Sequence, residues 1–352
     1  MHRHALALSA LLFAFLTVSP TAQNTANQAE GAEAIRALIA RLETTYVFPD
    51  VAARVRKELE TRIQAGAYRD VAEGAPLADA LTRDLRIITA DQHVRVAYSN
   101  ERFPPMTEAT QTPSPQSLEN TRRQLAAVNY GFLKVERLPG NIGFLDLDFF
   151  ADPDMGGATA AAAMTFLAET DALIVDLRFN GGGNSRMVAL LASYLFDGEP
   201  RHLTDIVVPR ENWLKQSWTL PYVTGKKFGG AKPVYVVTSA KTFSAAEEFA
   251  YDLQSLGRAT IVGEKTRGGA NPSGRYRLTD HYAVMVPTAQ AVNPHTKSNW
   301  EGTGVLPELS VAAGDALRIA QIRILERLIQ DGSPDLKEDR LRRKDALEKE
   351  IR

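Results

Sequence analysis

The sequence predicts an α/β protein: a mainly parallel sheet with crossover helices, preceded by a small domain of amphipathic helices. Three observations carry this. From Gly131 onward, short apolar runs alternate with helical patterns, the texture of strand–helix–strand units. Before that point, three apolar stripes recur at helical spacing within about sixty residues, as in a small bundle. The 352 residues suffice for two or three domains with at least one sizeable core.

The chain opens MHRHALALSALLFAFLTVSPTAQ. A basic start at Arg3 leads into the apolar run Ala5–Val18, with small and polar residues after it. That order is a secretory signal peptide over residues 1–22, cleaved near Ala22, and the apolar run is too short to span a bilayer comfortably. The expected location is the periplasm or the exterior, with no stable membrane insertion after signal removal. There is no cysteine, which excludes disulfides and thiolate chemistry. A formal net charge of −1 leaves no basic face for nucleic acid.

A polar lead-in, Asn24–Glu33, precedes the helices. Ile35, Leu38, Ile39 and Leu42 mark the first; Val51, Val55, Leu59 and Ile63 the second, stopped at Gly66; Leu77, Leu81, Leu85 and Ile88 the third. The helical domain is placed at residues 30–90. Strand-like alternation at His93–Tyr98 and a Pro- and Thr-rich loop at Phe103–Glu119 fill 91–130. Within the core, placed at 131–317, strands are expected at Gly143–Leu147, Ala172–Leu177, Val234–Thr238, Thr260–Val262 and His281–Pro287. Helices are expected at Ala158–Glu169, Ser185–Phe196 and Ala245–Leu256. Residues 318–352 form a charged tail, read as a solvated helix without chemistry.

Four stretches could carry chemistry. In VYVVTSAKTFSAAEEF, Ser244 stands where a strand hands over to a helix N-terminus, where free N–H groups and the helix dipole favour developing negative charge. A commonplace role competes, because Ser244-x-x-Glu247 is a capping box. In ALIVDLRFNGGGN, three glycines follow a buried strand. They suit close backbone approach to an anion, as an oxyanion hole or simply a tight turn, and the spacing is that of neither a dinucleotide fold nor a P-loop. Of six histidines, two lie in the signal segment; His93 opens a strand directly after the helices, while His202, His281 and His295 sit in less patterned surroundings. A lone histidine is commonly a satisfied or surface residue and otherwise a general base. In NWEGTGVLPEL, Glu301 is a loop carboxylate of the kind that orients a histidine or is merely solvated.

Together, DLRFNGGG, TSAKTFSAAEEF, GEKTRGG at Gly263–Gly269 and WEGTGVLPEL at Trp300–Leu309 resemble the tail-specific, or C-terminal-processing, serine protease family, in order as well as in motif. TYVFPD at Thr45–Asp50 and DQHVRV at Asp91–Val96 resemble its branch containing the interphotoreceptor retinoid-binding protein repeats and the tricorn protease core. The resemblance implies a crotonase-like ββα core with a helical N-terminal domain. It also implies Ser244 as nucleophile, an oxyanion hole from Gly181 or Gly182 with the amide of Ala245, and peptide or unfolded protein as substrate. In the better-known branch a lysine in Gly-Lys-Gly is the base; Gly269 stands at that position here, and Lys265 falls four residues early. The tricorn-like branch uses His and Glu, and His93 and Glu301 fall in the matching motifs. Asn100–Asn129 is too short for the PDZ domain of the lysine branch. The implied enzyme is a serine-type peptidase with no metal or organic cofactor. The alternative is a non-catalytic binder of apolar ligands on the same fold. The sequence leaves the oligomeric state open.

Overall fold

The computed structural model describes residues 20–105, 114–331 and 334–350, with side chains from residue 30 onward. The expected signal peptide at 1–22 lies almost wholly outside the described residues.

Helices α1 (Pro20–Thr45), α2 (Pro49–Gln64) and α3 (Ala75–Thr89) form at the three stripes. Leu38, Leu42, Leu59, Leu81 and Leu85 are buried in one cluster. The helices do not close this core alone. Strand β1 (Arg95–Tyr98) pairs antiparallel with a strand from far along the chain, Tyr282–Pro287, and Tyr282, Val284 and Val286 of that strand complete the cluster. Three short helices offer too little apolar area to close a core unaided. The pairing fixes the register Val96↔Val284, and it brings the segment just before β1, including His93, to this distant part of the chain.

Helix α4 (Pro115–Ala127) begins inside the stretch expected as a loop, Phe103–Glu119, and runs past its end. Ser114 caps it by accepting the Ser117 N–H, and Pro115 stands at its first position. None of its residues is buried, so it has no apolar stripe for the sequence to display.

The central sheet has six strands. An antiparallel hairpin, β2 (Phe132–Leu138) and β3 (Ile142–Leu147), continues through parallel strands β4 (Ala172–Asp176), β5 (Val234–Thr238), β6 (Thr260–Gly263) and β7 (Leu309–Ser310). Every residue of β4 and β5 is buried, as expected for strands covered on both faces. Helices α5 (Pro153–Leu167), α6 (Ser185–Ser193) and α7 (Ala245–Ser255) cover one face. The other face is covered by α8 (Ala313–Asp331), through Ala316, Ala320, Ile324 and Leu325. Helix α8 runs across the core-to-tail boundary expected after residue 317.

The charged tail is a helix, α9 (Lys337–Lys349), but it is docked rather than solvated. Arg340 is 1% exposed; it donates to Asp171 Oδ2 at 2.5 Å and to the Leu328 carbonyl at 3.0 Å, while Leu347 joins the core under α8. A guanidinium that meets a carboxylate and a carbonyl is satisfied in burial, which a reading based on charge density alone does not anticipate.

A side hairpin, β8 (His202–Val208) and β9 (Trp213–Trp218), stands beside α7, and its first strand pairs with β10 (Gln290–Val292). The mixed α/β architecture with its largely parallel sheet and N-terminal helices is the one the sequence predicts.

Candidate active site

Ser244 ends the turn between β5 and α7 with φ 56° and ψ −122°. An ordinary N-cap residue is extended. A non-glycine residue in this conformation is strained by about 1–3 kcal/mol and persists only where its surroundings impose it, commonly at functional sites. The turn is anchored by the Ser239 N–H, which donates to Thr242 Oγ1 at 2.9 Å, and by the Phe243 N–H, which donates to the Asn180 carbonyl at 3.1 Å. The Ser244 N–H donates to Glu247 Oε2 at 2.9 Å. This belongs to a capping box with Glu247, and Ser244 Oγ also has a partner distant in the chain.

That partner is His93. The imidazole Nε2 lies 3.2 Å from Ser244 Oγ, across 151 residues of sequence. Helix α3 ends at Ala90 in a left-handed conformation, and Asp91 Oδ1 then accepts the His93 N–H at 2.9 Å, which turns the chain into β1. The ring packs against Phe243, centroids 4.5 Å apart. Burial, and then the positive charges of Arg267 and Arg86, push the His93 pKa down to about 4, so the imidazole is neutral through the physiological range.

Glu301 approaches from the other side. Its Oε2 accepts the N–H groups of Ala270 at 2.6 Å and Asn271 at 3.1 Å. Its Oε1 is buried without a hydrogen-bond partner among the described residues, and so is His93 Nδ1. One ligating atom each of Asp91, His93 and Glu301 lies within 4.8 Å of the others. Such a trio can in principle reach a common cation, but both Asp91 oxygens are already engaged. Oδ1 takes the His93 N–H, and Oδ2 takes Asn271 Nδ2 at 3.1 Å and Tyr46 Oη at 3.4 Å. Burial, then the charge of Asp91, raises Glu301 to about 7.

The glycine turn Gly181–Gly183 packs directly on the nucleophile. Gly182 has φ 107°, and a Cβ built there would lie 2.7 Å from Ser244 Cβ and 3.0 Å from the Ala245 nitrogen, so only glycine fits. The Gly182 N–H donates to Asn180 Oδ1 at 2.8 Å. Beneath the site, buried Glu247 gathers four donors: Ser244 N, Thr266 Oγ1 at 2.5 Å, Gly268 N at 2.6 Å and Gly269 N at 2.8 Å. One carboxylate thus fixes the Ser244 turn to the loop that carries Gly269. A Cβ at Gly269 would lie 2.1 Å from the Phe243 ring and 2.8 Å from His93 Cε1. The space a side chain at position 269 would need is therefore filled by the imidazole and its aromatic neighbour. Lys265 and Lys241 are exposed.

Three of the six residues picked from the sequence as site residues, Ser244, His93 and Glu301, converge at one point, with Gly181, Gly182 and Ala245 around it. Sequence reasoning missed Asp91 and Glu247 as organisers. The first was legible only as an Asp two residues before the histidine, a spacing that suits an Asx turn. The second was legible only as an ordinary capping glutamate.

Known proteins bear on the family and the fold of this chain. The family described as "Peptidase family S41" matches residues 141–311, and "N-terminal domain of Peptidase_S41 in eukaryotic IRBP" matches residues 26–136. Among solved structures, a protein from Parabacteroides merdae is 19% identical over 80% of this chain and 90% of its own, with a TM-score of 0.56. A lipoprotein from Streptococcus agalactiae is 16% identical over 84% and 96%, with a TM-score of 0.52. The tricorn protease is 14% identical; the match spans 86% of this chain but 37% of the larger protein, with a TM-score of 0.52. At these identities the structural likenesses speak for the fold, and the two family matches, which together span most of the sequence, speak for the lineage. The chain belongs to peptidase family S41.

Proposed function

We propose that the protein is a serine peptidase that cleaves peptide bonds with Ser244 as nucleophile, His93 as general base and Glu301 as the group that orients the base. The observation that carries this reading is the 3.2 Å approach of His93 Nε2 to the hydroxyl of a serine held in a strained turn. His93 takes the Ser244 proton as Oγ attacks the scissile carbonyl, then gives it to the leaving amine. For that role Nε2 must be the acceptor and Nδ1 must carry the proton. Among the described residues the buried Nδ1 and the buried Glu301 Oε1 both lack a hydrogen-bond partner, and this tautomer would join them as substrate binds, with Asp91 Oδ1 also standing 3.9 Å from Nδ1.

For the oxyanion, the candidates are the N–H groups of Gly181, Gly182 and Ala245. The Gly182 N–H is already directed at Asn180, which favours Gly181 and Ala245. Each such donor is worth about 3 kcal/mol to a tetrahedral intermediate. The substrate class is peptide or unfolded protein, in keeping with the family. Among the described residues no helix is long and apolar enough to cross a membrane. Separately, the basic–apolar–small order of the first 22 residues supports an exported enzyme of the periplasm or exterior, beginning near Gln23.

The test is turnover of casein by wild type, Ser244→Ala and His93→Ala. Losses of about 10³-fold or more in both variants, with unchanged fold, support the reading. A non-catalytic binder of apolar ligands shows no Ser244-dependent turnover at all, and that result removes the peptidase assignment.

A further inference from the structure

Helix α7 has a second chemical face. Glu248 follows the nucleophile by one turn, its N–H bonded to the Ser244 carbonyl at 2.9 Å, and its side chain lines a cavity of about 320 Å³. The wall on the other side begins at Ser185, two residues after the Gly181–Gly183 turn. The lining thus includes the residue one helical turn after the nucleophile and the residue two positions after the glycine turn that would hold the oxyanion. Its sides are apolar, formed by Leu190, Ile206, Trp218 and Leu220.

Glu248 is 5% exposed. Its Oε2 accepts the Ser185 hydroxyl at 2.5 Å, while Oε1 has no partner among the described residues. One turn further, Asp252 is 1% exposed; Thr204 Oγ1 and Asn293 Nδ2 donate to its Oδ1, and Oδ2 is likewise unpartnered. Two buried carboxyls four residues apart on one helix repel, and burial raises both, Glu248 to about 7. An unpaired buried carboxylate is costly unless a cation or donor reaches it. Of the two cations on this wall, Arg186 is spent on Asp154 at 2.7 Å, and exposed Lys215 acts on Glu248 through its charge, which lowers the Glu248 pKa, without a hydrogen bond to it.

Resting on the peptidase reading, we propose that this cavity is the side-chain subsite beside the scissile bond and that it selects a basic residue, Lys or Arg, of the substrate. The apolar walls take the methylene stem, as long basic side chains bury their stems along apolar surface. The ammonium or guanidinium reaches Glu248 Oε1 at the inner end, and its charge also relieves the repulsion with Asp252.

The experiment measures the rate at which peptidyl diphenyl phosphonates label Ser244. Probes carrying Lys, Leu or Glu next to the phosphorus are compared in wild type and Glu248→Gln. The proposal expects the Lys probe to react at least about tenfold faster than the Leu or Glu probe, and that ratio to collapse to within about threefold in Glu248→Gln. Equal rates in wild type, or a faster Leu or Glu probe, overturn it without any variant. A Lys preference that survives Glu248→Gln also overturns it. A plain fluorophosphonate run in parallel separates the two levels. If it labels Ser244 while the Lys probe has no advantage, the subsite assignment alone fails. If it does not label Ser244, the peptidase reading fails and the subsite with it.

Discussion

Replacing Glu301 with Gln separates two titrations that the structure places side by side. In the wild type, His93 is pushed down to about 4 and Glu301 up to about 7. Catalysis needs neutral imidazole with its proton on Nδ1, and it needs a negative partner to hold that proton and offset the imidazolium. Below about pH 7 Glu301 is a neutral acid; it can donate to Nδ1 and so favour the tautomer with the proton on Nε2, the wrong one for accepting from Ser244. Activity should therefore rise with pH through about 7, as Glu301 ionises, with a second and lower step near 4 from His93. An imidazole with its ordinary value near 6.5 would instead give a single step between about 6 and 7. Glutamine keeps the shape and an acceptor oxygen but cannot ionise. The variant should lose roughly 10²–10⁴-fold at about pH 8, and its residual activity should lack the upper step and keep only the lower one. Stability gives a second readout. A carboxyl raised from 4.5 to about 7 stabilises the fold fully at low pH, and that contribution is lost as pH rises through about 7. At 1.36 kcal/mol per unit, wild type should lose about 3 kcal/mol relative to Glu301→Gln between about pH 4 and 8. The assays are kcat/KM against pH on a fluorogenic peptide and denaturant midpoints across the same range. An upper step that persists in Glu301→Gln, together with a stability difference flat in pH, refutes the assignment.

Other outcomes follow from the same geometry. Glu247→Ala strands four donors and frees both the Ser244 turn and the Gly269 loop, so it should lose about 3–5 kcal/mol of stability, read by chemical denaturation, and most of its activity. Gly269→Ala forces a methyl into the Phe243 ring and against His93, and should lower kcat/KM by about 10²-fold or more in the same peptide assay. Lys265→Ala and Lys241→Ala should leave casein turnover within about twofold of wild type, since both side chains are exposed; loss of turnover in either would bring a lysine base back into consideration. Mass spectrometry of the protein from the cell envelope should find an N-terminus near Gln23, and an intact Met1 in the membrane fraction would contradict export.

Where side-chain periodicity was strong, the sequence was a sufficient guide. The stripes through Leu38, Leu59 and Leu81 became helices, and the apolar runs at 172–176 and 234–238 became the buried centre of the sheet. Helix 115–127 was invisible because it buries nothing, and α9 looked solvated because its one buried cation is satisfied by partners 169 and 12 residues away. The site was legible as separate motifs. What the sequence could not show was how they meet. His93 reaches Ser244 because β1 pairs with Tyr282–Pro287, a contact between positions nearly two hundred residues apart. Nor could it show that Ser244 has positive φ, which sets it apart from an ordinary cap, or that Gly269 leaves the room His93 occupies.

The central claim is that one serine hydroxyl, activated by His93, is the nucleophile. The most direct measurement is the site of covalent labelling by a fluorophosphonate, located by peptide mass spectrometry in wild type and in His93→Ala. The account predicts a single adduct on Ser244 in the wild type, formed about 10²-fold or more slowly when His93 is removed. An adduct on another residue, or labelling of Ser244 at an undiminished rate without His93, would contradict it.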